Sequence, residues 1–113
     1  MAARYYISLP DPEKARGGKD FSFVSHSAEG FASELQDALR SDGLFERWRA
    51  AQDDPDGVDP GLGATDPGAT VTGQQDDLHI DLIATTSIPG AVFKHRLRLL
   101  AGSAWELRDV SAA

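Results

Sequence analysis

The chain has 113 residues, enough for one hydrophobic core and too few for two, and its 18 acidic and 11 basic side chains give a net charge of −7. That balance argues against nucleic acid as the main partner, because polyanion binding draws its affinity from Lys and Arg. Cysteine is absent, which excludes disulfides, thiol nucleophiles and thiolate metal sites and leaves stability to packing.

The N-terminal stretch is too short and polar for a signal peptide, and no apolar run approaches the length of a membrane span. These features place the protein in the cytoplasm as an expectation. Residues 4–9 alternate, with Tyr5, Ile7 and Leu9 on one face, and Pro10-Asp11-Pro12 ends this first strand. Alternation at Phe21, Phe23 and Ser25 predicts a second strand, joined to the first by a wide hairpin loop over 10–20. That loop holds Lys14, Arg16 and Lys19 around Gly17-Gly18. The glycines would let backbone N–H groups approach a phosphate, but the spacing is not that of a phosphate-binding loop, and a solvated hairpin loop is the reading adopted.

Ser27 caps a helix whose apolar positions Ala28, Phe31, Ala32, Leu35, Ala38 and Leu39 form one buried face. Gly43 then interrupts, and Leu44, Phe45, Trp48 and Ala51 resume at helical spacing in a second short helix. Residues 53–77 carry seven aspartates and no Lys or Arg, with many Gly and Pro and few large apolar side chains. This acidic segment reads as a loop projecting from an otherwise neutral body, because it cannot bury enough surface to offset its ordering entropy.

Residues 69–72 have the look of a short edge strand, and 78–86 of a long one. Ile88-Pro89-Gly90-Ala91 has the Pro-Gly of a type II turn, so 91–100 is predicted to return as a hairpin partner. That register opposes Ile80 to Leu99, Leu82 to Leu97, Ala84 to His95 and Thr86 to Phe93, and sets Asp81 against Arg98 outside. A three-residue turn then leads to a last strand over 104–110, which buries Trp105 and Leu107 and places Asp109 opposite His95.

The expected fold is one α+β domain over 1–113, in the order β-β-α-α-β-β-β. Its antiparallel sheet has four to five strands with one or two helices packed on one face, and room for an extra edge strand before the final meander. The expected core is Ile7, Phe23, Phe31, Leu35, Leu39, Ile80, Leu82, Phe93, Leu97, Leu99, Trp105 and Leu107.

No stretch carries a motif specific enough to name a reaction. His95 with Asp109 offers a carboxylate-oriented imidazole, the kernel of a general-base dyad, without any nucleophile signature beside it. Asp54, Asp56 and Asp59 supply oxygen ligands around Gly57 for calcium, but depart from the EF-hand pattern in glycine position and in lacking a closing glutamate. No other cofactor is implied. Ile83, Lys94, Arg96, Arg98 and Arg108 mix apolar and cationic groups on the predicted outer sheet face, a composition suited to a protein contact or a homodimer. The leading expectation is a protein-interaction or accessory module using that face or the acidic loop. The alternative is a small enzyme or ligand-binding domain with a pocket near His95 and Asp109.

Overall fold

A computed structural model of the chain describes residues 2–16 and 21–113. Strand β1 (Ala3–Leu9) leads to a short helix α1 (Pro12–Arg16), followed by helices α2 (Ala28–Arg40) and α3 (Gly43–Ala50). Strands β2 (Thr70–Asp76) and β3 (His79–Thr86) then form a hairpin, helix α4 (Gly90–Ala101) returns across the sheet, and β4 (Glu106–Ala112) closes the chain. The four strands form one antiparallel sheet in the order β2-β3-β1-β4. Two βαβ units, β1-α2-β2 and β3-α4-β4, are thereby interleaved, the split arrangement of ferredoxin-like sheets. Among the described residues, no helix is long and apolar enough to cross a membrane.

The α+β layout with helices on one side of an antiparallel sheet is as the sequence predicts; within the expected loop over 10–20, residues 12–16 form the short helix α1, and two longer segments differ in kind. Residues 21–26 form no strand. Phe23 is fully buried edge-on against Phe31, with ring centroids 4.7 Å apart, and its N–H donates to the Leu100 carbonyl. The Glu34 carboxylate accepts from the Val24 and Ser25 N–H groups, so side chain and helix end satisfy the donors that a ladder would have used. Of the basic stretch in the predicted hairpin loop, Lys14 and Arg16 belong to α1, and Gly17, Gly18, Lys19 and Asp20 lie outside the described residues.

The second difference is larger. Residues 91–100 are helix α4, not the partner strand of 78–86, and the register pairing Ile80 with Leu99 does not exist. Pro89 stands at the helix start, where its missing N–H costs nothing, and its carbonyl accepts from the Phe93 N–H at 2.9 Å. Gly102 ends the helix at φ 61°, a left-handed conformation that a side chain would strain, and its N–H donates to the Arg98 carbonyl. The place beside β3 is taken by β1, which pairs Tyr5 with Ala84, Ile7 with Leu82 and Leu9 with Ile80.

Tyr5, Ile7, Leu9, Val71, Ile80, Leu82 and Ala84 point from the sheet into the helix layer and are all buried. Helix α2 adds Phe31, Leu35 and Leu39, and α4 adds Phe93 and Leu97, with the Phe93 ring stacked on Tyr5 at 4.2 Å. Each Val, Leu, Ile or Phe among them contributes roughly 1.5–3 kcal/mol by leaving water. Of the expected core, Leu99, Trp105 and Leu107 are only partly buried at its margin. Gly73 allows the close approach of α2, because a Cβ there would land on the Ala28 carbonyl.

The acidic segment is integrated into this packing. Residues 55–57 and 60–63 form short 3-10 turns, and 70–76 is edge strand β2 of the sheet. What holds 62–71 in place is a set of contacts to α2 and α4. The Leu39 carbonyl accepts from the Asp66 N–H, the Gln36 side chain from the Val71 N–H, and Arg40 Nε donates to the Ala69 carbonyl at 2.7 Å. Asp66 in turn accepts from the Ser87 N–H, the Thr86 hydroxyl and the Gly68 N–H. Those bonds, led by the Ser87 N–H, hold its carboxyl below the usual range.

Arg96 completes the attachment. It is fully buried, and its guanidinium donates to the Ala38 carbonyl and to the Leu62 and Ala64 carbonyls, both at 2.8 Å. Desolvation lowers its pKa, with an opposing pull from Asp42, yet a guanidinium starts so high that it stays charged. Arg96→Ala strands three carbonyls and opens a cavity, and we expect a loss of about 3–5 kcal/mol in urea unfolding. Arg96→Lys should recover little of it, because one ammonium lacks the planar fork that reaches two separate segments. A lysine variant within about 0.5 kcal/mol of wild type would remove the clamp from this account.

Candidate functional site

Because both long helices lie against one side of the sheet, no layer among the described residues covers its other side. The pairings place Arg4, Tyr6 and Ser8 of β1 on that open face. From β3 come His79, Asp81, Ile83 and Thr85, and from β2 Thr72, Gln74 and Asp76. Glu106 opposes Ser8 and Asp109 opposes Tyr6, so both carboxylates belong to this face, and a bulge between Tyr6 and Ile7 sets Arg108 beside them. The centre is a shallow depression of about 670 Å³ lined by Tyr6, Ser8, His79, Asp81, Ile83 and Glu106. Ser8 at its floor is only 7% exposed, whereas Ile83 is 37% exposed and Leu78, at the hairpin tip, 81%.

The face is unevenly charged. Asp76, Asp81, Glu106 and Asp109 stand against Arg4 and Arg108, and Arg108 is already paired to Glu106 at 3.0 Å. At the β2–β3 end the imidazole of His79 lies between two carboxylates, with Nε2 3.3 Å from Asp81 Oδ2 and 3.8 Å from Asp76 Oδ2. Asp76 and His79 are direct cross-strand partners across the two-residue turn Asp77-Leu78, and Asp77 takes φ 56° to make it.

The residues singled out in the sequence are scattered by the fold. Of the predicted contact face, Ile83 and Arg108 lie on the open sheet face. Lys94 and Arg98 are on α4 in the opposite layer, and Arg96 is inside the protein. His95 and Asp109 do not meet: one is on α4, the other on the far side of the sheet. Asp109 Oδ1 accepts from the Val110 N–H, and the His95 ring packs edge-on against Trp48 with centroids 4.6 Å apart.

The loop aspartates are also apart in role. Asp54 accepts from the Gly57 N–H and Asp59 from the Gly61 N–H, while Asp56 faces Arg49 at 3.8 Å. Among the described residues, the group of three metal-ligating side chains that converges is Asp76, His79 and Asp81. His79 and Asp81 lie two residues apart on one face of β3, and the signal absent from the sequence is the tight turn at 77–78 that folds Asp76 onto them.

A second, larger cleft of about 720 Å³ lies between α1, the end of α4 and the start of β4. Phe21, Leu99 and Trp105 form its apolar walls, with Lys14 and Arg98 at the rim. The Trp105 indole N–H donates to the Gly102 carbonyl, fixing that wall. Comparison with protein-family models, curated proteins and solved structures finds no match to this chain.

His95 has a structural consequence of its own. Burial lowers its pKa first, and the charges of Arg98 and Arg96 lower it further, from an ordinary 6.5. Among the described residues its buried Nδ1 has no hydrogen-bond partner. The folded protein thus binds fewer protons than the unfolded chain just below pH 6.5, and stability should fall as the pH drops through this range. Replacing His95 with Gln should flatten the dependence between about pH 7.5 and 5.5, read by urea midpoints. An unchanged slope would show that His95 does not carry it.

Proposed function

We propose that this protein is an interaction module that docks a second protein on the open face of its sheet, and that the partner presents a basic surface with apolar groups at its centre. The observation that carries the reading is the one-sided layering of the fold. A helix layer covers one face, and the other exposes Tyr6 and Ile83 among charged side chains in which Asp76, Asp81, Glu106 and Asp109 outnumber Arg4 and Arg108. Contact centres favour aromatic and aliphatic anchors, and a charged rim steers the approach of an oppositely charged partner. The chain's net charge of −7 adds to that steering. The same acidity opposes a face-to-face pair of identical chains, since it would bring like charges together.

A photo-crosslinking amino acid at Ile83, compared in living cells with one at Ser33 on exposed α2, tests this directly. The reading expects a discrete adduct from position 83, to a protein with a basic surface. The purified partner should then bind wild-type chain more weakly at higher salt, and Asp81→Lys more weakly still. Adducts from position 33 alone, or adducts that are covalent dimers of this chain, would overturn it.

A further inference from the structure

We propose that Asp76, His79 and Asp81 form a binding site for a divalent transition-metal ion at the tip of the β2–β3 hairpin. The donor set is mixed, one imidazole nitrogen and two carboxylates, and the three ligand atoms lie within 4.8 Å of one another. Ligands held about 2.0–2.2 Å from a tetrahedral ion are roughly 3.3–3.6 Å apart. The His79 Nε2 distances of 3.3 Å to Asp81 and 3.8 Å to Asp76 bracket that spacing before any rotamer adjusts.

The scaffold also fits. Two ligands are cross-strand partners beside a two-residue turn, and the third lies two residues along β3 on the same face. Their backbones are therefore fixed by the sheet ladder and not by a loop, which limits the entropy lost on binding. Calcium and magnesium take oxygen ligands and gain little from imidazole, whereas imidazole suits zinc and its neighbours. With three protein ligands, at least one coordination position remains open. His79 and Asp81 also line the depression that holds Tyr6 and Ser8, so an ion bound there would face it. The site does not depend on the docking reading, since it needs no partner.

Chelator-treated full-length protein titrated with Zn²⁺ by calorimetry, and with Co²⁺ by visible absorption, tests the assignment. One ion per chain is expected, with the His79 ring resonances moving in two-dimensional NMR spectra and with Ca²⁺ failing to compete. His79→Ala and Asp81→Asn should each weaken binding by about tenfold or more, while Asp59→Asn, in the remote acidic turns, should not change it. All three positions are solvent-accessible, and circular dichroism checks that each variant is folded. No saturable uptake, or uptake that persists unchanged in both hairpin variants, would overturn the site and leave the cluster as exposed polar side chains in contact.

Discussion

The guanidinium of Arg96 is where three parts of the chain meet. It rises from the middle of α4, takes the Ala38 carbonyl near the end of α2, and holds the Leu62 and Ala64 carbonyls of the acidic segment. The polar groups it satisfies lie where a pair of helices and an irregular loop converge, and no backbone ladder can serve them there. A planar cation with donors on separate nitrogens reaches acceptors in several directions at once. Fixing 62–64 in this way sets the approach of the chain to Asp66, whose carboxylate bonds Thr86 and Ser87 at the end of β3, and so leads into edge strand β2.

That attachment fixes the sidedness of the molecule. With β2 outside β3 and β4 outside β1, the two βαβ units cross on the same side, and all the large apolar side chains of β1 and β3 except Tyr6 and Ile83 turn toward α2 and α4. The opposite face is left to short polar side chains, those two apolar groups and an excess of carboxylates. The hairpin at its end folds Asp76 onto His79 and Asp81. Both the proposed docking face and the proposed metal site therefore follow from which side the helices take.

Local patterns made the first strand, α2, α3, β3 and most of the last strand legible, whereas β2 was legible only over 70–72, because Gly73, Gln74 and Gln75 read as a turn and carry no apolar alternation. Helix α4 was not legible for a specific reason. Its buried positions Phe93, Arg96, Leu97, Leu100 and Ala101 follow helical spacing, but the stripe runs through an arginine, which breaks the pattern when only apolar residues are counted. Phe93, Leu97 and Leu99 meanwhile alternate, and Pro89-Gly90 serves a helix start as readily as a turn. Phe23 shows the converse, since one deeply buried ring amid exposed neighbours produces alternation without a strand. Because 90–101 is a helix, Lys94, Arg96 and Arg98 leave the predicted outer face, and His95 leaves the inner face where it was expected to meet Asp109. On the open sheet face, Ile83 and Arg108 were legible, whereas the placement of Asp76 beside His79 depended on a turn.

The most direct measurement of the central claim is hydrogen exchange and cross-relaxation at the Arg96 guanidinium in ¹⁵N-labelled protein at low temperature. A buried clamp predicts resolved, slowly exchanging Nη protons with cross-peaks to Ala38, Leu62 and Ala64, and helical carbon shifts over 91–100. A single averaged, rapidly exchanging Nη signal with extended shifts over that segment would return these residues to a solvent-facing strand and contradict the account.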